Sequence, residues 1–224
     1  MEDIDLDAVE RLASFLRVGP LTAAIAHLEN SLVGKDGSGV KTVTRLSGVN
    51  TELLTAAITV RRGLGRMNDL IHAAAIVLVL PRVLEEGEKV SNRPSLAAGN
   101  DPTRPYDLET NRRVAEFKLS YWTGSDAGRK RQTFKDLVHL AADTSGRQPE
   151  LFIVGDRPER FLRSSRAKAA WALDRWAVMQ ELFAERFGSL EMSVADFTRG
   201  PGARVQITDL TKVLPSLAKI AAVL

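Results

Sequence analysis

Three charged residues in the segment RPYDLETNRRVAEFKLSYW, residues 104 to 122, have types and spacing that could perform chemistry. On a strand, Glu116 and Lys118 point to the same face, whereas Phe117 points to the opposite face, into a core. Asp107 precedes them, and a hairpin would bring its strand alongside theirs. Two carboxylates and an ammonium would then converge on one surface.

This set suits the hydrolysis of phosphodiester bonds. Carboxylate oxygens bind hard divalent cations, so Asp107 and Glu116 are candidate ligands for Mg²⁺ (or Mn²⁺). The metal would polarise the phosphate and lower the pKa of a bound water. Lys118 would orient or help deprotonate that water and offset charge in the transition state. The backbone carbonyl of Phe117 could complete the coordination.

Two further carboxylates could support such a site. Glu85 falls at the end of the preceding predicted helix and is a candidate extra metal ligand. Glu109 shares a strand face with Asp107 and could support the direct metal ligands without contacting the metal itself. The alternative for the whole hairpin is a structural Glu–Lys pair on a solvated face, which would contribute little.

Apolar periodicity and turn residues predict the elements that would position these side chains. From residue 69 the predicted order is helix, possible short strand, two strands joined by a turn, helix and strand, over 69–86, 90–100, 104–109, 112–122, 124–142 and 151–155. One mixed sheet flanked by helices follows from this order. Farther along the chain, a long helix over 158–187, a possible strand over 203–210 and a final apolar helix are expected.

The first part of the chain reads as helical. Residues 3–18 and 21–32 carry apolar residues at helical spacing, and 41–62 has the outline of helix, glycine turn and helix. That last outline is weakly specific for DNA binding and is typical of ordinary helical packing. The predicted organisation is a helical region at 1–66, a core at 67–190 and a strand and helix extension at 191–224.

The hairpin carries a resemblance to a known family. Pro105 and Asp107, followed by Glu116, Phe117 and Lys118, resemble the motif of the PD-(D/E)XK nuclease superfamily. The family core of helix, three strands, helix and strand matches the order predicted from residue 69. The resemblance covers fewer than half of the residues and leaves the N-terminal helices outside it.

The resemblance implies a restriction-endonuclease-like α/β fold with an N-terminal helical region. It also implies that Asp107 and Glu116 bind the metal and that Lys118 assists the chemistry. The chain departs from the motif at one position, where Tyr106 stands between Pro105 and Asp107.

Basic residues are concentrated around the hairpin. Lys and Arg outnumber Asp and Glu between residues 101 and 168, although the net charge of the chain is only +3. Contacts to DNA phosphates are therefore expected near this segment. The candidates on the helix after the hairpin, which lines the substrate groove in the family, and on the next predicted helix are Arg129, Lys130, Arg131, Gln132, Lys135, Arg160 and Arg163. The alternative is that these residues form solvated helix faces with local ion pairs.

Composition excludes several other chemistries. The chain has no cysteine, which excludes disulfides, thiolate metal sites and cysteine nucleophiles. His27, His72 and His139 show no metal-ligand spacing and are expected to be packing or surface residues. The acidic N-terminus does not resemble a secretory signal, and the longest apolar run is too short to span a bilayer, so a cytoplasmic protein is expected.

These observations predict a magnesium-dependent endonuclease that acts on DNA, with a possible role in defence or restriction. The alternative is a noncatalytic module on the same fold that binds nucleic acid or protein. Homodimerisation through the N-terminal helices is a further possibility, since two sites make it easier to cut both strands.

Overall fold

The computed structural model describes residues 5–17, 19, 21–64, 67–96, 104–122, 126–215 and 217. The chain divides into two compact units, Met1–Met67 and Asn68–Leu224. Among the described residues, no helix is both long enough and apolar enough to cross a membrane.

The described residues of the first unit form four helices, α1 Leu6–Leu16, α2 Leu21–Leu32, α3 Gly37–Ser47 and α4 Thr51–Leu64. The glycines of the segment GKDGSG, residues 34–39, predict a turn, but helix α3 begins inside this segment, at Gly37. The Asp36 side chain accepts a hydrogen bond from the Gly39 N–H and so caps the helix. Gly48, with φ of 73°, ends α3 in a left-handed conformation that glycine adopts without strain.

The second unit is α/β, and its described residues form a mixed, open sheet of four strands. These are β1 Leu108–Glu109, β2 Arg113–Lys118, β3 Gln148–Ile153 and β4 Gln206–Asp209. They lie in the order β1-β2-β3-β4, with β1 antiparallel to β2 and the other two pairs parallel. The hairpin predicted around residues 110–112 is present, and the Thr110 N–H donates to the Arg113 carbonyl at 2.9 Å.

Helices cover both faces of this sheet. Helix α5, Met67–Val83, packs Ile76 and Val79 into the hydrophobic cluster on one face, which contains Phe117 and Phe152. Helix α6, Ala127–Ala141, supplies apolar residues to the cluster on the other face, which contains Val114. Because strand side chains alternate between faces, Val114, Glu116 and Lys118 share the face covered by α6.

The segment before β1 is less regular than predicted. Between residues 90 and 96 only Val90 forms a bridge, to Thr110. The Ser91 and Ser95 N–H groups donate singly to the Glu109 and Asp107 carbonyls, both at 2.9 Å. Pro94 has no N–H, which interrupts a continuous ladder. Residues 97–100 of the predicted strand, like residues 124–125 of the predicted helix, lie outside the described part.

The helix predicted over 158–187 is divided into α7 Asp156–Ser164, α8 Ala169–Ala172 and α9 Ala177–Phe187. The backbone at 165–169 bonds to another segment instead of continuing the helix. The Val194 N–H donates to the Ala167 carbonyl, and the Ala169 N–H donates to the Met192 carbonyl. Apolar periodicity does not reveal this long-range pairing.

The chain returns to the sheet through α10 Val194–Arg199 and a 3₁₀ turn, Pro201–Arg204. Strand β4 then pairs with β3 inside the predicted segment 203–210 and is followed by α11 Leu210–Val213. Residues 218–224 of the predicted final helix lie outside the described residues.

Candidate active site

The hairpin brings Asp107 to the end of β2. Leu108 is paired with Ala115, so Asp107 comes just beyond the last pair of the ladder. Its Oδ2 accepts a hydrogen bond from the Phe117 N–H at 2.9 Å. In an extended strand the N–H and C=O of one residue face the same neighbour. The Phe117 carbonyl therefore faces the side of β2 on which Asp107 lies.

Glu116 and Lys118 lie together on the α6 face of the sheet. Lys118 Nζ is 3.8 Å from Glu116 Oε2 and 2.6 Å from Asp136 Oδ2. The Glu116 and Lys118 side chains are 12% and 20% exposed, so both are largely withdrawn from solvent but reachable from it. Asp136, on α6, is almost completely buried. The structure therefore adds a third carboxylate beside the predicted pair.

A histidine contacts the first carboxylate from the α5 side. His72 Nε2 is 3.5 Å from Asp107 Oδ2. His72 Nδ1 is 3.2 Å from the Leu96 carbonyl, and it must donate because a carbonyl only accepts. Burial favours the neutral imidazole, but the hydrogen bond and negative charge of Asp107 outweigh it and raise the pKa of His72. His72 thus holds one oxygen of Asp107 in place.

The electrostatics of the two predicted ligands differ. Burial favours protonation of Asp107, but hydrogen bonds from His72 and Phe117 and the charge of Lys118 lower its pKa. Burial raises the pKa of Glu116 well above its usual range, and the negative charges of Asp136 and Asp107 raise it further. A cation placed between Asp107 and Glu116 would relieve this repulsion.

Lys118 is held as an ammonium. Burial alone would lower its pKa, but Asp136 and Glu116, followed by Asp107, raise it above the ordinary value. A lysine with a raised pKa donates hydrogen bonds and supplies positive charge, and it is a poor base. Of the roles expected from the sequence, charge stabilisation and orientation fit this geometry better than removal of a proton.

The donor set fits a hard divalent cation. Mg²⁺ is commonly held by one or two carboxylates together with waters and substrate phosphate oxygens. Asp107 and Glu116 supply the two carboxylates, and the Phe117 carbonyl lies on the appropriate side of the strand. In the described part of the chain, no group of three or more His, Cys, Asp or Glu residues has an arrangement suited to holding a metal alone.

Glu85 does not join this cluster. Its Oε2 lies 3.0 Å from Arg112 Nη1, and its side chain is 66% exposed. Arg112 immediately precedes β2, whereas Glu116 is four residues further along, a distance of about 13 Å on a strand. Glu109 is also engaged elsewhere, because its Oε2 is 3.0 Å from Arg147 Nη2.

The candidate phosphate-binding residues on α6 have protein partners. Arg129 Nη1 is 2.6 Å from Asp126 Oδ2, and Arg131 Nη2 is 3.0 Å from Asp174 Oδ2. Lys130 lies over the Phe161 ring, with Nζ 5.9 Å from its centroid.

The next turn of α6 faces the cluster directly. Gln132 Nε2 is 3.3 Å from both carboxylate oxygens of Asp136. Lys135 Nζ is 3.4 Å from Asp136 Oδ1 and lies 5.8 Å from the centroid of the Trp176 ring. Of the candidate phosphate-binding residues, Gln132 and Lys135 therefore contact Asp136, which also contacts Lys118.

The two candidates on α7 form local ion pairs. Arg160 pairs with Asp156, and Arg163 Nε is 2.7 Å from Glu159 Oε1. Both arginines remain more than half exposed, so these pairs sit in water and are weak. The arrangement matches the solvated helix face expected as the alternative, and it leaves both cations accessible to a polyanion.

Asp136 and His72 are the two site residues that sequence reasoning missed. Helical periodicity turns Asp136 away from the apolar face that Phe134 and Leu137 share, so the pattern gives no sign of its burial. His72 interrupts the longest apolar run, and a polar residue there signals a buried partner. Neither pattern identifies the partner, because the contacts join residues 35 and 18 positions apart in the chain.

The chain matches no protein-family model, no curated protein and no solved structure.

Proposed function

We propose that this chain is a metal-dependent nuclease with a restriction-endonuclease-like core that hydrolyses phosphodiester bonds in DNA. The observation that carries the proposal is the convergence of Asp107, Glu116 and Lys118 at the end of β2. The sequence resemblance to the PD-(D/E)XK superfamily rests on the same three residues.

In the proposed mechanism Asp107 and Glu116 would hold Mg²⁺ or Mn²⁺, and the Phe117 carbonyl would be the third protein donor. The bound metal would polarise the phosphate and activate a water. Asp107 is kept ionised and oriented by the Phe117 N–H and by His72. A cation held there would offset the charges of the two neighbouring carboxylates and so favour the ionised form of Glu116.

Lys118 supplies a fixed positive charge beside the scissile phosphate. Negative charge accumulates on the phosphoryl oxygens in the transition state, and a preorganised cation in a poorly solvated site stabilises it. The exposed cations Arg129, Arg160 and Arg163 would follow the DNA backbone by exchanging their local carboxylate partners for phosphates. Homodimerisation through the N-terminal helices stays a prediction.

The test is cleavage of linear double-stranded DNA, single-stranded DNA and RNA of matched length, with Mg²⁺, with Mn²⁺ and with a chelator. We expect metal-dependent cleavage of DNA by the parent chain and none by the Asp107→Asn variant. The matched control is Glu109→Gln, which makes the same change from carboxylate to amide two residues away, where the side chain pairs with Arg147.

Four results would contradict the proposal or one part of it. Cleavage that survives Asp107→Asn would show that the active site is not at Asp107. An equal loss of cleavage in Glu109→Gln would indicate that the substitutions damage the hairpin. Binding of DNA without cleavage, at an affinity independent of the metal, would identify the noncatalytic binding module instead. Cleavage of RNA but not of DNA would support phosphodiester hydrolysis and would show that the substrate is RNA.

A further inference from the structure

Protein donors surround the carboxylate of Asp136. Oδ2 lies 2.6 Å from Lys118 Nζ, and Oδ1 lies 3.4 Å from Lys135 Nζ. Gln132 Nε2 is 3.3 Å from each oxygen. The residue is only 2% exposed. A buried carboxylate with this many donors is committed to organising them and has little capacity left to bind a metal.

The contact with Lys118 is the shortest of the set. Lys118 reaches Asp136 at 2.6 Å but stays 3.8 Å from Glu116, which is outside hydrogen-bond distance. An ammonium has three protons. Asp136 accepts a hydrogen bond from one of these protons, which fixes the orientation of the ammonium. The other two protons remain available on the side of the site where Glu116 lies.

We infer that Asp136 is a positioning residue that fixes Lys118 in the orientation needed for phosphodiester hydrolysis. The inference rests on the proposed nuclease function. Asp136 would touch neither the metal nor the substrate and would act only through Lys118. Gln132 and Lys135, on the same helix, hold Asp136 in its turn. Nothing in the sequence motif points to Asp136, because it lies outside the hairpin.

The experiment measures kcat, KM for DNA and Mn²⁺ affinity for Asp136→Asn, Lys118→Met and the double variant. We expect Asp136→Asn to lower kcat about 100-fold, the loss typical of a misplaced catalytic group, with KM and Mn²⁺ affinity within about twofold of the parent. The double variant should be no less active than Lys118→Met alone, because Asp136 has no function without Lys118.

The matched control is Glu150→Gln. Glu150 is also a buried carboxylate paired at 2.6 Å with a cation of β2, but that cation is Arg113. We expect its folded form to keep the kcat of the parent. Should Asp136→Asn fail to fold by circular dichroism, Asp136→Glu keeps the charge and displaces the carboxylate by one methylene. The expected loss of kcat is then about tenfold.

Several outcomes would overturn the inference alone. One is a double variant whose loss is the product of the two single losses. Another is loss of Mn²⁺ binding in Asp136→Asn, which would make Asp136 a metal ligand. A third is a kcat equal to that of the parent in Asp136→Asn or in Asp136→Glu. A parent chain without nuclease activity overturns the proposed function itself, and this inference with it.

Discussion

Strand β2 carries a charged cluster at each end, and the two clusters are built differently. At its start Arg113 lies between Glu88 and Glu150, with Nε and Nη2 bonding Glu88 at 2.6 and 2.7 Å and Nη1 bonding Glu150 at 2.6 Å. The Thr110 hydroxyl donates to Glu88 and the Thr208 hydroxyl donates to Glu150, both at 2.6 Å. Every carboxylate oxygen of this cluster has a donor.

At the end of β2 the contacts between carboxylates and cations are less complete. Asp107, Glu116 and Asp136 are three carboxylates around Lys118, with His72 on the far side of Asp107. Glu116 is separated from the ammonium by 3.8 Å. Its pKa is raised by burial and by the two like charges, whereas the pKa of Glu88 is lowered to about 2 despite burial, by its bonds to Arg113, Glu85 and Thr110.

The difference separates structure from chemistry. In a buried ion cluster whose carboxylate oxygens all have protein donors, removal of one partner is strongly destabilising because it leaves a buried charge unpaired. At the end of β2, by contrast, burial and two like charges raise the pKa of Glu116 well above its usual range, and such a perturbed carboxylate is typical of functional sites. Four predictions test this contrast.

The largest effect is expected at the end of the strand. Lys118→Met should reduce cleavage about 10³-fold, because it removes the preorganised charge that stabilises the transition state. Single-turnover cleavage of DNA measures this loss. The control Lys89→Met changes an exposed lysine of the same unit, and an equal loss there would contradict a specific role for Lys118.

At the start of the strand the effect should be on stability. Arg113→Met leaves Glu88 and Glu150 buried without their cation, which is expected to lower the free energy of unfolding by about 3–5 kcal/mol. Urea denaturation measures this change. Arg112→Met removes an exposed pair with Glu85 and should cost at most about 1 kcal/mol. Equal effects of the two variants would erase the distinction between the clusters.

The same cluster should respond to acid. The pKa of Glu88 is lower in the folded chain than its usual 4.5, so its stabilisation is complete above pH 4.5 and is lost as the pH falls towards about 2. We expect Glu88→Gln to be about 3 kcal/mol less stable than the parent at pH 7, from a shift of this size.

The difference between parent and Glu88→Gln should shrink between pH 4.5 and pH 2, as followed by denaturation at each pH. The exposed neighbour Glu86 provides the control, since Glu86→Gln should show no such trend. A constant difference across this range would mean that Glu88 is not the titrating group.

The smallest effect concerns metal binding. The pKa of Glu116 is raised, so below that pKa the cation must displace a proton, and apparent Mn²⁺ affinity should increase there by up to about tenfold per pH unit. Calorimetry in buffers of different ionisation enthalpy measures the released proton. Glu116→Gln should bind more weakly and release none. Proton release that persists in this variant would assign the titration to another group.

Much of the second unit was predictable from local pattern. Period-two alternation around Phe117 places Glu116 and Lys118 on one face, and the apolar run before Gly155 predicts a buried strand. The helix after the hairpin and the strand near residue 206 were also expected. The break after Ser164 was not, because the backbone there is held by bonds to residues near 194 that no local propensity reveals.

The amino-acid sequence by itself determined which residue types can bind a cation, which strand face they share and where the turn lies, since these depend on periods of two and a few adjacent residues. Only the tertiary structure decided that Asp136 and His72 join the cluster and that Glu85 pairs at the other end of β2. Those contacts join different elements. Their partners are selected by burial and charge balance in three dimensions, which no spacing along the chain encodes.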